Sequence, residues 1–280
     1  MKETGKNILK KLHLYHPLQS FYRHLVFNYH RNQNRKRYKA YRGSGYTCNV
    51  CDQQYTQFVP DLPSEENKLA IETNAIIAGY GNNIICPYCM STARERLVIA
   101  MLGNMDINRK KILHLSPEKN IYNFIKDKAI VTTADLLPGF YKTVDGLVQK
   151  QDATAFSFDD NNFDLVIGNH ILEHIPSDTR AMKEIRRVLK PGARAILQVP
   201  YSEKLLSTLE DPEINDPAKQ AYLFGQKDHV RIYTLRDYVS RLQEAGFNVE
   251  VIPYEALSPF YFLAIQPGEC FLHIFKPATA

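Results

Sequence analysis

The sequence predicts an α/β protein, a doubly wound and mostly parallel sheet carrying a small cysteine-rich module at its N-terminal side. Three observations lead there. Strand-like and helix-like segments alternate from Lys110 onward, two Cys-x2-Cys pairs stand ahead of that region, and charge divides between a basic leader and an acidic body. Alternation of this kind lets helices cover both faces of a parallel sheet.

The strand candidates are KILHL (111–115), AIVTTADL (129–136), FDLVIGNH (163–170), ARAILQVP (193–200), FNVEVIPY (247–254) and CFLHIFKP (270–277). Helical segments fall between them at 119–127, 177–190 and 234–245. The second is the best marked: Ser177 can cap it, Asp178 suits the positive end of its dipole, and Lys190-Pro191-Gly192 stops it. With 280 residues, the chain suits one α/β domain with an accessory module. The expected division is a basic arm over 1–45, a cysteine module over 46–105 and the α/β domain over 106–280.

Hydrophobic residues make up 44% of the chain, enough for a core, and no apolar run approaches the roughly 20 residues that span a bilayer. The N-terminus has no signal-peptide pattern, so a cytoplasmic location is the expectation, with the leader able to sit at the inner membrane face. Residues 1–45 hold eleven Lys and Arg against one acid, while the remaining 235 carry 24 bases and 29 acids. RNQNRKRYKAYR (31–42) interleaves cations with Tyr38 and Tyr41, a composition that suits RNA phosphates or an anionic membrane. Before it, Leu12, Leu14, Leu18, Phe21, Leu25 and Val26 suggest an amphipathic helix. A plain solvated arm is the competing reading.

Cys48-Asn49-Val50-Cys51 and Cys86-Pro87-Tyr88-Cys89 are spaced so that each pair offers two thiolates from one tight turn. Together Cys48, Cys51, Cys86 and Cys89 make the donor set of a closed, structural Zn2+ site. A helix beginning at Ser64 occupies the interval. Two disulfides are the alternative, disfavoured in a reducing compartment. Cys270, in an apolar strand, reads as a core residue.

In open sheets ligands sit beyond the C-terminal strand ends, where the strand order switches. There the sequence places His114-Leu115-Ser116-Pro117-Glu118 after the first strand, and Asp135 about 20 residues later, the distance at which a nucleotide site holds ribose hydroxyls. Asp152-Ala153 follows, where an acid can accept from an adenine amino group. No glycine stands in the 114–118 turn. Pro117 fixes φ and removes a donor, which predicts a path unlike that of a glycine-rich loop.

The run D-A-T-A-F-S-F-D-D-N-N-F-D-L-V-I-G-N-H-I-L-E-H-I-P (152–176), with E-I-R-R-V-L-K-P-G-A (184–193), resembles the class I S-adenosylmethionine-dependent methyltransferases of small molecules. D-H-V-R-I-Y-T and L-Q-E-A-G-F (228–247) are similar to their C-terminal part, and C-P-Y-C-M-S-T-A-R-E-R-L (86–97) resembles a bacterial subgroup with an N-terminal cysteine knuckle. The resemblance implies a Rossmann-like, seven-stranded sheet and S-adenosyl-L-methionine as cofactor. It puts 114–118 against the methionine moiety, Asp135 with Leu136 at the ribose, Asp152 and Ala153 at the adenine, and Asn169 and His170 at the methyl donor. Glu118 either meets the cofactor's ammonium group or simply opens the next helix at its favourable dipole end.

The cofactor carries the reactivity, so the chain's task is to position an acceptor and exclude water. A general base helps a hydroxyl or amine acceptor; His170, His174 and His229 are the candidates, with Asp228 orienting His229 and Arg231 binding an anionic acceptor group. His174 reads as structural. A small-molecule or glycan- or lipid-linked acceptor is the leading expectation. An RNA methyltransferase and a non-catalytic zinc-binding scaffold are the alternatives.

Overall fold

The computed structural model describes residues 15–278. The part of the amphipathic leader at Leu12 and Leu14 therefore lies outside the described residues. Seven strands build the main sheet: β1 (Lys111–Leu115), β2 (Ile130–Asp135), β3 (Gln149–Lys150), β4 (Phe163–Ile167), β5 (Leu189–Ile196), β6 (Asn248–Ile252) and β7 (Phe271–Phe275). In space they run β6-β7-β5-β4-β1-β2-β3. The strands from β3 through β5 pair in parallel, whereas β7 lies antiparallel between β5 and β6. The order reverses between β1 and β4, which fixes where a ligand crevice opens.

The helices are α1 (Tyr15–Arg37), α2 (Glu65–Thr73), α3 (Ala93–Gly103), α4 (Lys119–Ile125), α5 (Asp178–Val188), α6 (Pro217–Phe224) and α7 (Leu235–Glu244). β1 and β4 are near-continuous apolar runs because both of their faces are covered. Leu113 and Val166 point to one face, where Met182 and Ile185 of α5 and Tyr238 and Leu242 of α7 meet them. Ile112, Leu165 and Ile167 point to the other, onto Leu97 and Leu102 of α3 and Ile121 of α4. Thr92 and Glu95 close a full capping box at the start of α3. Ser177 and Ser64 stand at the N-cap positions of α5 and α2 but make no side-chain capping bond. Asp178 Oδ1 instead accepts from the Thr179 amide.

The segment between the cysteine pairs is woven into the α/β body. Ile76–Ile77 pairs antiparallel with Tyr201–Ser202, which pairs in parallel with Arg231–Thr234. Ile71 of α2 and Ile76 join Phe224 and Ile232 in one apolar cluster. Helix α1 lies against the knuckle: Arg35 Nε donates to the Tyr88 carbonyl at 2.8 Å and its guanidinium stands 3.9 Å over the Tyr88 ring. Part of the leader's positive charge thus has an intramolecular partner. Among the described residues no helix is long and apolar enough to cross a membrane.

Candidate active site

The end of β1 turns sharply at Ser116, whose φ of 45° is left-handed. The glycine-free turn therefore adopts the very conformation that a glycine would supply, held by two bonds. The Ser116 amide donates to the Ala134 carbonyl at 2.9 Å, and Ser116 Oγ donates to Asp135 Oδ2 at 2.6 Å. Asp135 Oδ1 accepts from the Leu137 amide at 2.6 Å, and Leu136 is exposed beside it. His114 and Pro117 are buried in the turn. His114 Nε2 accepts from the Glu118 amide at 3.3 Å, and burial pushes its pKa down to about 3, so it is a neutral acceptor serving the turn.

Glu118 stands at the head of α4 but makes no capping bond to it. Its carboxylate reaches across the sheet edge instead, accepting from Asn169 Nδ2 at 2.9 Å and from Arg94 Nε at 3.2 Å. Ser116, Glu118, Asp135 and Asn169, with Arg94, thus converge at the ends of β1, β2 and β4. Sequence reasoning missed Arg94, and the only signal was its place in the S-T-A-R-E-R run after the second cysteine pair. It also missed Glu269, buried nearby, whose pKa rises to about 7 through burial, with Arg94 lowering and Glu118 raising it. Helix α1 approaches the same edge, with the Lys119 ammonium 5.8 Å from the Phe27 ring.

Asp152 lies past the end of β3, where its Oδ1 accepts from the Thr154 amide and hydroxyl, and these bonds hold its pKa low. Asp152 is exposed and Ala153 half-buried, packed on the core. The chain beyond β4 is again left-handed at His170, with φ 51°. Two non-glycine residues with this backbone flank the same crevice, a pattern associated with functional sites.

His170 and His229 line a pocket with Ile71, Ile76, Tyr80 and Phe224. The expected orientation of His229 by Asp228 does not occur: Asp228 faces His174, its carbonyl 3.1 Å and its carboxylate 3.6 Å from Nδ1. Burial and the neighbouring His174 push His229 down to about 3, far from the near-neutral value that suits a general base. Arg231 also departs from its expected role. It is 1% exposed; Nη1 donates to the Leu172 and Ile175 carbonyls, Nη2 to that of Pro176, and Nε to Glu210 Oε2. A guanidinium so engaged braces the loop after β4 and has little left to offer an acceptor.

The four cysteines close into one cluster. Cys48 Sγ lies 3.6 Å from Cys89 Sγ, Cys51 Sγ lies 3.7 Å from Cys86 Sγ, and all four sulfurs fall within 4.8 Å of one another. The two turns match, for Asp52 and Met90, each following its second cysteine, are both left-handed. Four thiolates about 2.3 Å from one tetrahedral ion would stand about 3.8 Å apart, so the donor set fits Zn2+. Cys270 is buried and lies away from the cluster.

Residues 43–251 match the model of a methyltransferase domain, so the chain belongs to that family. It is 30% identical over 121 residues to the chloroplastic 2-phytyl-1,4-beta-naphthoquinone methyltransferase of Arabidopsis thaliana, a stretch covering 41% of this chain and 44% of that one. The chain thus spans less than half of that curated relative. Similar solved structures include an S-adenosylmethionine-dependent methyltransferase from Mesorhizobium loti, 14% identical with TM-score 0.45, covering 66% of this chain and 98% of that one. The YcgJ protein of Bacillus subtilis is 12% identical with TM-score 0.41, covering 64% of this chain and 97% of that one.

Proposed function

We propose that this protein is an S-adenosyl-L-methionine-dependent methyltransferase acting on a small-molecule or glycan- or lipid-linked acceptor, with a structural Zn2+ in its cysteine knuckle. The observation that carries the reading is the convergence of Ser116, Asp135, Glu118, Asn169 and Arg94 at the switch between β1 and β4. A carboxylate and a guanidinium side by side suit the ammonium and carboxylate of an amino acid, and Asp135 suits ribose hydroxyls. Asp152 and Ala153 flank the adenine side, and Leu136 stands beside Asp135. When bound, the cofactor supplies a methyl carbon made electrophilic by its sulfonium.

The chain's own contribution is placement. His170 lines the pocket of Ile71, Ile76, Tyr80 and Phe224, and Asn169 donates to Glu118 on the cofactor side, so an acceptor entering by this pocket would approach the methyl donor away from water. Among the lining residues the one strong cation is Arg231, already engaged with carbonyls and Glu210, which favours a small acceptor over a polyanion such as RNA.

Thermal melts with S-adenosylmethionine and S-adenosylhomocysteine test the reading. Both ligands should raise the Tm of the wild type as their concentration grows, and Asp135→Ala should abolish the rise. A wild-type Tm indifferent to either ligand at millimolar concentration overturns it.

A further inference from the structure

Glu173, in the turn after β4, is completely buried, and neither carboxylate oxygen accepts a hydrogen bond from another residue. Leaving a buried carboxylate unpaired is among the least favourable arrangements a fold can hold. Three imidazoles face it. His170 Nδ1 lies 3.6 Å from Glu173 Oε1, and His174 Nε2 and His229 Nε2 each lie 3.9 Å from the same oxygen. These separations are too long for hydrogen bonds. They are the right size for a shared ion, because two ligands about 2.1 Å from one metal stand roughly 3.0–4.2 Å apart.

We propose that Glu173, His174 and His229, with His170 alongside, bind a divalent first-row transition-metal ion. The ligand atoms of Glu173, His174 and His229 all fall within 4.8 Å of one another. The His174 ring is held as a ligating histidine is held: Nδ1 meets the Asp228 carbonyl at 3.1 Å, which places its proton there and leaves the Nε2 lone pair facing Glu173. Burial keeps His170 and His229 neutral, the form in which imidazole ligates. An ion here would supply the positive partner that Glu173 lacks.

The mixed imidazole and carboxylate donors set this site apart from the thiolate cluster. Because His170 and His229 also line the acceptor pocket, an open coordination position would face an acceptor oxygen. That consequence rests on the methyltransferase reading; the metal site itself does not.

The test uses the full chain as purified, its cysteine cluster loaded with zinc, titrated with MnCl2 and followed by the electron paramagnetic resonance signal of free Mn2+. Manganese suits nitrogen and oxygen donors and is a poor match for four thiolates. One Mn2+ per chain should be taken up, and Glu173→Gln and His229→Asn should each weaken uptake at least tenfold. Glu173→Gln replaces a buried ionisable group with a neutral one of the same shape, so before metal is added it should melt no lower than wild type, which separates ligand loss from unfolding. A separate sample dialysed against ZnCl2 in place of MnCl2 gives the second readout, with two zinc equivalents by elemental analysis expected in the wild type and one in the variants. The proposal is overturned if neither metal binds beyond one cysteine-held equivalent, or if both variants bind as wild type does. The S-adenosylmethionine melting shift on the same samples reports separately on the methyltransferase reading.

Discussion

Ser116 Oγ donates a 2.6 Å hydrogen bond to Asp135 Oδ2, tying the end of β1 to the end of β2 across the mouth of the sheet. The bond holds the carboxylate in place and supports a left-handed serine, with φ 45°. Ser116→Ala keeps the strained backbone and loses a charge-assisted bond, a change of about 1–2 kcal/mol at a half-buried position. Ser116→Gly loses the same bond but relieves the strain. Urea denaturation should therefore rank wild type above glycine and glycine above alanine. Calorimetry should find S-adenosylmethionine bound several-fold more weakly by both variants. Alanine matching wild type in both measurements sinks the assigned role.

Glu269 gives stability a pH dependence of known sign. Burial raises its pKa from the ordinary 4.5 to about 7. A carboxyl raised on folding contributes stability that is whole below the unfolded pKa and is lost as pH rises through the folded one. Wild type should accordingly lose up to about 3 kcal/mol between pH 4.5 and 8 from this group. Glu269→Gln removes that loss. Its Tm should lie near that of wild type at pH 5 and clearly above it at pH 8, and parallel profiles would dismiss Glu269 as the source.

Arg231 should matter for stability before it matters for turnover. Asp178, 3% exposed, accepts from Tyr233 Oη at 2.7 Å and Arg241 Nη1 at 2.8 Å, with Arg231 Nε at 3.8 Å. Arg231→Ala strands three backbone carbonyls and weakens the countercharge to Asp178 and Glu210. Breaking such a buried network costs about 3–5 kcal/mol. Chemical denaturation measures that loss. Activity assayed well below the variant's Tm should retain most of the wild-type value, and a collapse of kcat in fully folded protein would restore a direct role at the acceptor.

The sheet was legible where the chain repeats a strong local signal. β1 and β4 are apolar runs ending in turn residues, and Ser116, Glu118, Asp135 and Asn169 stand where such strands end. β3 was not legible, because Gln149–Lys150 is a short polar pair made a strand only by its neighbour β2. Ile76–Ile77 likewise becomes a strand through Tyr201–Ser202, more than a hundred residues away. Arg94, Glu173 and Glu269 are ordinary charged residues in sequence, and the half-buried setting of Arg94 and the buried ones of Glu173 and Glu269 arise only from long-range packing. His229 and Arg231 carried the right chemistry for an acceptor site, yet neighbours distant in sequence decided how much of it is free.

The cysteine knuckle should hold more than itself together. Arg96, fully buried, stands over the Phe58 ring at 4.7 Å and within electrostatic reach of Cys48, Cys86 and Cys89. Its Nη1 donates to the Ser91 carbonyl, Nε to that of Leu263, and Nη2 to those of Ile84 and Ala264. One guanidinium thus binds the second cysteine turn to the segment that precedes β7. An ion held by four thiolates carries a net negative charge, which Arg96 partly offsets, so metal and arginine stabilise one another. Elemental analysis should find zinc in the purified protein, and Cys86→Ser should lose the cysteine-held equivalent. Chelation should lower the Tm and speed amide exchange in two places, at residues 46–58 and at residues 254–264. Faster exchange confined to the knuckle would show that Arg96 transmits nothing to the sheet, and unchanged exchange throughout would remove the metal from the account of the fold.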